Sequence, residues 1–143
     1  MMFSEFTAEE QPALHMRFGV IIVREFDEFV GNNIQELTER LTLLGCIPSN
    51  ILMRSVPTLH DALIATNFFA QYTDVDGVII LAPQNRAMGT LSFMNGISTI
   101  QIQWNMVVEI GGAECADHIV EMITLQNEME DAAPEISSRS RCS

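Results

Sequence analysis

Lysine is absent from this chain, and all seven of its basic residues are arginines. The chain also carries 19 acidic residues, so its formal net charge at pH 7 is -12. A surface of that charge repels the phosphate backbone of nucleic acids. The composition therefore argues against general nucleic-acid binding.

The sequence signatures of membrane, metal and cofactor proteins are missing as well. No apolar run approaches the roughly 20 residues that cross a bilayer, so we expect no membrane partner. The chain contains no P-loop, no G-x-G-x-x-G, no nucleophile elbow and no His/Cys cluster with metal-ligand spacing. The sequence thus contains no recognisable motif for a nucleotide, a dinucleotide or a metal ion.

Cysteine is scarce, with three widely spaced residues and no C-x-x-C pair. An odd number without pairing motifs is typical of reduced thiols in a reducing compartment. The first residues are acidic rather than basic and apolar, so no secretory signal is indicated. A cytoplasmic location is expected, with an organelle stroma or matrix as the alternative.

The chain does contain enough apolar sequence for one domain. Of its 143 residues, 48% are hydrophobic and 18% are charged, a composition that can bury a core. Residues 1–16 are predicted to form an N-terminal arm, which either pairs with a partner's sheet or frays. Residues 17–130 form the predicted domain, and residues 131–143 a mobile polar tail.

Within that domain, apolar runs rich in β-branched residues alternate with segments of helical period. Three runs are predicted strands, at residues 18–23, 51–56 and 78–82. Apolar residues at helical spacing predict a helix after each of the first two strands, and Gly45 is the expected left-handed cap of the first helix. This alternation is typical of an α/β domain with a mainly parallel sheet and helices on both faces.

A different pattern follows Gly89. Apolar and polar residues alternate over residues 100–108, and this period of two predicts a long, half-exposed strand whose apolar row needs a covering surface. A last helix is predicted over residues 113–129.

Ligands of parallel sheets bind beyond the carboxyl ends of the strands, which makes the residues directly after each strand candidates. Phe26 follows the first strand, where its ring would either stack on a planar heterocycle or fold into the core or an interface. Asp61 follows the second strand. Its carboxylate would either bind ligand hydroxyls or, more commonly, stabilise the N-terminus of the next helix.

Two further candidates come from the same kind of position. His60 is a candidate for proton transfer, although an ordinary turn histidine is the commoner case. After the third strand, Arg86, Gly89 and Thr90 offer a guanidinium, a flexible backbone and a hydroxyl, which together form a candidate anion site.

Taken together, these segments resemble the lumazine synthase family. The similarity covers the first strand with an aromatic-Asn pair, a Val-Pro-Gly-Ala-Phe-Glu turn, an Asp-Ala-Val-Ile-x-Leu-Gly strand, the Arg of an Arg-Gly-x-Thr loop, and the closing helix. The corresponding parts of this chain are residues 17–27, 55–61 and 76–82, Arg86, and residues 112–122. The resemblance implies a flavodoxin-like, three-layer α/β/α domain.

The family belongs to riboflavin biosynthesis and condenses a ribitylaminopyrimidine with a four-carbon hydroxyketone phosphate, without metal or organic cofactor. The resemblance implies that Phe26 stacks on the heterocycle, with Asp27 beside it in place of the family's Asn. It implies that Asp61 binds ribityl hydroxyls next to the backbone of Leu59 and His60. The segment 86–90, with Arg86, Gly89 and Thr90, would face the phosphate. It also implies self-assembly into a pentamer or a larger shell.

The chain differs from the family at several of these positions. Thr58 stands where the turn has Gly, and Leu91 stands where the family has its proton-transferring His. Since Leu cannot move a proton, two hypotheses remain. One is a divergent lumazine synthase in which His60 replaces the missing base. The other is a non-catalytic relative that serves as an oligomer-forming or ligand-binding subunit. A flavin- or phosphate-binding signalling domain of similar architecture is a distant third.

Overall fold

A four-stranded parallel sheet lies at the centre of the fold. The structure is a computed structural model that describes residues 11–142, with the side chains of residues 11–132. Its strands are β1 (Phe18–Val23), β2 (Ile51–Val56), β3 (Gly77–Leu81) and β4 (Val107–Gly111). They are ordered β2-β1-β3-β4, and every neighbouring pair is parallel. The carboxyl ends of all four strands therefore lie at one edge of the sheet.

Burial explains the sequences of the strands. The two central strands, β1 and β3, are continuous apolar runs and are almost wholly buried. Strands covered on both faces need such runs, because both sets of side chains meet helices. The edge strand β2 instead leaves Met53, Arg54 and Ser55 exposed.

Five α-helices and two single-turn 3-10 helices connect and cover the strands in the described part of the chain. The α-helices are α1 (Asp27–Leu43), α2 (Ala62–Tyr72), α3 (Gln84–Met88), α4 (Leu91–Trp104) and α5 (Cys115–Cys142). The 3-10 helices are Arg24–Phe26 and Pro48–Asn50. Each strand-to-strand connection therefore passes through a helix, as parallel pairing requires.

The core is divided by the sheet into two clusters of buried side chains. One, here the α1–α5 cluster, contains Leu37 and Leu41 of α1 together with Ile119 and Ile123 of α5. The other, the α2–α4 cluster, packs apolar side chains of α2 and α4 against the opposite face of the sheet. Helices thus cover both faces, and the predicted three-layer α/β domain is confirmed.

Gly45 ends α1 as the sequence predicts. Its φ is +106°, a conformation that side chains rarely adopt. The N–H of Gly45 donates to Thr42 O and the N–H of Cys46 to Leu41 O, each at 3.0 Å. These two bonds form a Schellman motif, which satisfies carbonyls at the end of α1 and turns the chain towards β2.

The prediction of a strand over residues 100–108 is wrong. Most of that segment belongs to α4, whose buried residues Phe93, Ile97 and Ile100 follow a helical period. Ile102, which completed the apparent alternation, is 84% exposed. The helix ends at Asn105, whose left-handed backbone (φ 52°) precedes the short strand β4. The apolar row that the prediction placed on a strand does not exist.

The two ends of the predicted domain also differ from expectation in detail. Ala13 and Met16 are buried in the α1–α5 cluster, and the N–H of Ala13 donates to Leu44 O at 3.0 Å. The outer part of the predicted arm, residues 1–10, lies outside the described residues. The last helix, expected to stop at residue 129, continues to Cys142. Mobility of residues 131–143 stays a prediction.

No helix within the described residues is both long and apolar enough to cross a membrane.

Candidate functional site

A cavity of about 250 Å³ lies at the carboxyl ends of the strands. Residues that follow β1, β2 and β3 line it together, because the three parallel strands end side by side. The lining residues are Glu25, Phe26, Thr58, Leu59, His60, Arg86 and Thr90. Five of these were candidates from sequence: Phe26, Leu59, His60, Arg86 and Thr90.

Phe26 sits on the 3-10 turn after β1, where it belongs to the core and also lines the cavity. Its side chain is 9% exposed and belongs to the α2–α4 cluster, which is the core alternative. It nevertheless lines the cavity, where the Arg86 guanidinium carbon lies 5.1 Å from the ring centroid. This cation–π contact contributes about 0.5–1 kcal/mol at an exposed site. A heterocycle that stacked on this side of the ring would have to displace the guanidinium.

Glu25 joins the turn after β1 to the loop after β2. Its Oε1 accepts a hydrogen bond from the N–H of Leu59 at 2.7 Å, and its own N–H donates to Pro57 O at 3.0 Å. Arg24 adds a third link, from Nη1 to Ser55 Oγ at 2.9 Å. The Leu59 amide, which the resemblance assigns to ligand binding, is therefore already bonded within the protein.

Thr58 and Asp61 are bonded to each other in the turn that leads into α2. The Asp61 carboxylate accepts hydrogen bonds from the N–H of Thr58 at 3.1 Å and from its Oγ1 at 2.8 Å, and the N–H of Asp61 donates back to Thr58 Oγ1 at 3.4 Å. Such local side-chain bonds stabilise turns. Asp61 directly precedes α2 without bonding its first N–H groups and is not among the lining residues, so its carboxylate is used within the turn.

The loop after β3 supplies side chains rather than backbone amides to the cavity. The short helix α3 uses the N–H of Gly89 to bond Asn85 O and the N–H of Thr90 to bond Ala87 O, both at 3.1 Å. Gly89 does not line the cavity. The groups left to meet an anion are the Arg86 guanidinium and the Thr90 hydroxyl, which itself donates to Arg86 O at 3.1 Å.

His60 is exposed and is the histidine that lines the cavity. Asp27, by contrast, is an exposed residue in the first turn of α1 and is not part of the lining. Leu91 begins α4 with 74% of its surface exposed, also outside the lining. The only imidazole able to move a proton at this cavity, among the described residues, is therefore that of His60.

Sequence reasoning missed Glu25 and Thr58 as lining residues. An acidic residue two positions after the end of β1 was a visible signal for Glu25, and the Thr-x-x-Asp spacing is a known local bonding pattern for Thr58. No group of three His, Cys, Asp or Glu side chains within the described residues is arranged to hold a metal ion.

The strand order and the place of the cavity define the class of protein as a flavodoxin-like α/β domain. Comparison of the chain with protein-family models and with curated protein sequences finds no match in either.

Proposed function

We propose that the chain is a divergent lumazine synthase-like protein. In this proposal it binds a ribitylaminopyrimidine and a four-carbon hydroxyketone phosphate and condenses them to a lumazine. The observation that carries the proposal is that Phe26, His60, Arg86 and Thr90 line one cavity at the carboxyl ends of β1, β2 and β3. Those are four of the positions that the sequence resemblance assigns to this reaction.

Each lining group has a role in that proposal. The Phe26 ring would support the heterocycle, and the Arg86 guanidinium with the Thr90 hydroxyl would bind the phosphate. His60 would carry protons during the condensation, because Leu91 cannot. Holding the two substrates together supplies a further part of the acceleration, up to about 7–11 kcal/mol in favourable intramolecular reactions.

The test is formation of lumazine from both substrates, followed by absorbance, with the full chain and two matched variants. His60→Ala is expected to lose about 100-fold or more of the rate, the usual contribution of a general acid or base. His118→Ala removes an exposed histidine of α5, away from the cavity lining, and should leave the rate unchanged. A wild-type rate equal to the uncatalysed background refutes an enzymatic function.

A second candidate is a non-catalytic, ligand-binding relative. Three observations favour it: the Leu59 amide is bonded to Glu25, the Asp61 carboxylate is bonded to Thr58, and Leu91 replaces the family's histidine. Fluorescence titration with 6,7-dimethyl-8-ribityllumazine separates the two candidates. Saturable binding without turnover supports the non-catalytic relative, and absence of both binding and turnover contradicts both candidates.

Self-assembly into a pentamer or larger shell is part of either candidate. Its support is an exposed apolar row on α2, here named the α2 stripe, formed by Ile64, Phe68 and Tyr72 with 74%, 46% and 67% of their surfaces exposed. Residues spaced by four lie on one face of a helix, and exposed apolar patches commonly mark interfaces.

A further inference from the structure

The carboxylate of Glu25 accepts a hydrogen bond from a backbone N–H at the wall of the cavity. Its Oε1 lies 2.7 Å from the nitrogen of Leu59, and both residues line the cavity wall. Hydrogen bonds to an ionised acceptor are roughly twice as strong as neutral ones. A ligand oxygen that needed the Leu59 amide would therefore have to displace this carboxylate first.

Glu25 also sets the charge of the cavity. Besides Glu25 and His60, the lining contains one other ionisable side chain, the Arg86 guanidinium, which has no carboxylate partner within ion-pair distance among the described residues. The guanidinium attracts anions, whereas the carboxylate repels them and lowers the net charge of the lining to zero with His60 neutral. Coulomb energy at a partly exposed site is large enough for this charge to weaken the binding of an anion at the Leu59 side of the cavity.

The carboxylate does more than block the amide. An ionised carboxylate has about four acceptor positions, and the Leu59 N–H uses one of them. The others remain able to accept bonds from hydroxyl, amino or cationic groups of a ligand. At this wall Glu25 thus occupies the N–H donor of Leu59 and offers a ligand the remaining acceptor positions of its own carboxylate instead.

We propose that Glu25 is a specificity-determining residue of the cavity, where its carboxylate occupies the position of an anionic ligand group at the Leu59 amide. With Glu25 in place, this wall accepts ligands through their hydroxyl, amino or cationic groups and rejects carboxylate and phosphate oxygens. Removing the carboxylate frees the amide in a cavity that Arg86 also lines, and converts the wall into an anion site. This inference does not depend on the ligand being a pyrimidine.

The test uses inorganic phosphate as the probe and the full-length, ¹⁵N-labelled chain at constant ionic strength and pH 7. Glu25→Ala is expected to bind phosphate at least tenfold more tightly than wild type, with the largest shift at the Leu59 amide. Glu25→Gln keeps an acceptor for that amide but loses the charge, so its gain is expected to be smaller, about threefold. Glu28→Gln makes the same charge change on the exposed first turn of α1 and should bind as wild type does.

Two results would overturn the inference. One is phosphate affinity in Glu25→Ala no higher than in Glu28→Gln, and the other is a gain in affinity whose shifts avoid the Leu59 amide. If Glu25→Ala does not fold, Glu25→Gln decides alone, and equality with Glu28→Gln then overturns the inference. Because phosphate binding is measured without either lumazine substrate, a failed condensation assay leaves this result independent.

Discussion

Cys46 and Cys115 lie in the α1–α5 cluster, where they behave as small apolar side chains. Burial raises the pKa of the Cys46 thiol to about 11. Burial, with the neighbouring Glu114 and Glu109, raises the pKa of the Cys115 thiol to about 12. Since the thiolate is the reactive form, both side chains are protected by protonation as well as by packing.

We therefore expect neither cysteine to react with iodoacetamide in the native protein at pH 8. Both should be alkylated once guanidinium unfolds the chain, and peptide mass mapping of the two samples measures the difference. Alkylation of either residue in the native sample at the rate seen after unfolding would contradict the burial described here.

We expect Glu109 to make the free energy of unfolding depend on pH. Burial raises the pKa of this β4 carboxyl above its ordinary value, and the charge of His118 on α5 partly offsets the rise. A carboxyl whose pKa is raised in the folded state favours folding most below its unfolded pKa. That contribution is lost as the pH rises through the folded pKa, because the folded state then holds a half-buried charge.

Replacement Glu109→Gln should accordingly raise Tm at pH 7 while changing it little at pH 4. Thermal unfolding across this range measures the difference between variant and wild type, which is expected to grow with pH. Glu121→Gln, at an exposed position of α5, serves as the charge-matched control. A Glu109→Gln difference that is constant with pH would mean that the carboxyl is not responsible.

Sequence patterns predicted an element correctly where a single physical cause, such as burial on both faces or a backbone conformation, produces the pattern. The apolar runs of β1 and β3 exist because both faces are covered, and the end of α1 is fixed locally by the backbone of Gly45. The prediction for residues 100–108 failed because Ile102 is an apolar residue that α4 leaves 84% exposed, so local hydrophobicity did not report burial. Phe93 and Ile97, read with Ile100, carried the correct helical period.

Gly45→Ala tests the contribution of the Schellman motif. The left-handed conformation costs a non-glycine residue about 1–2 kcal/mol, and an added Cβ would also clash with Cβ of Gln11. We expect a loss of unfolding free energy of at least about that size. Gly31→Ala is the matched control within α1, where an added Cβ meets nothing within 4 Å. It should instead stabilise by about 0.5–1 kcal/mol, and urea unfolding of both variants measures the contrast.

At the scale of the whole molecule, the sheet explains why part of the site was predictable. Parallel strands bring the loops after β1, β2 and β3 together, so Phe26, His60 and Arg86 meet although they are distant in sequence. The bond between Glu25 and the Leu59 amide depends on the side-chain geometry of two loops, which no sequence pattern records. The sequence therefore predicted which loops line the cavity, but not which of their polar groups are already hydrogen-bonded within the protein.

The proposed self-assembly would bring together chains that each carry a net charge of -12, and the apolar α2 stripe would have to outweigh their repulsion. Phe68→Glu places a charge at the centre of the stripe and is expected to reduce the particle mass to that of a monomer in light scattering after size exclusion. Leu43→Glu makes the same change at another exposed apolar position, 80% exposed at the end of α1, and should leave the assembly intact.

Copies of like charge repel one another over about 10 Å at 0.1 M salt, so raising the salt to about 0.5 M should strengthen wild-type assembly. A wild-type chain that stays monomeric at high protein concentration and high salt would refute self-assembly. Loss of assembly in both variants would instead show that added charge, rather than the α2 stripe, controls it.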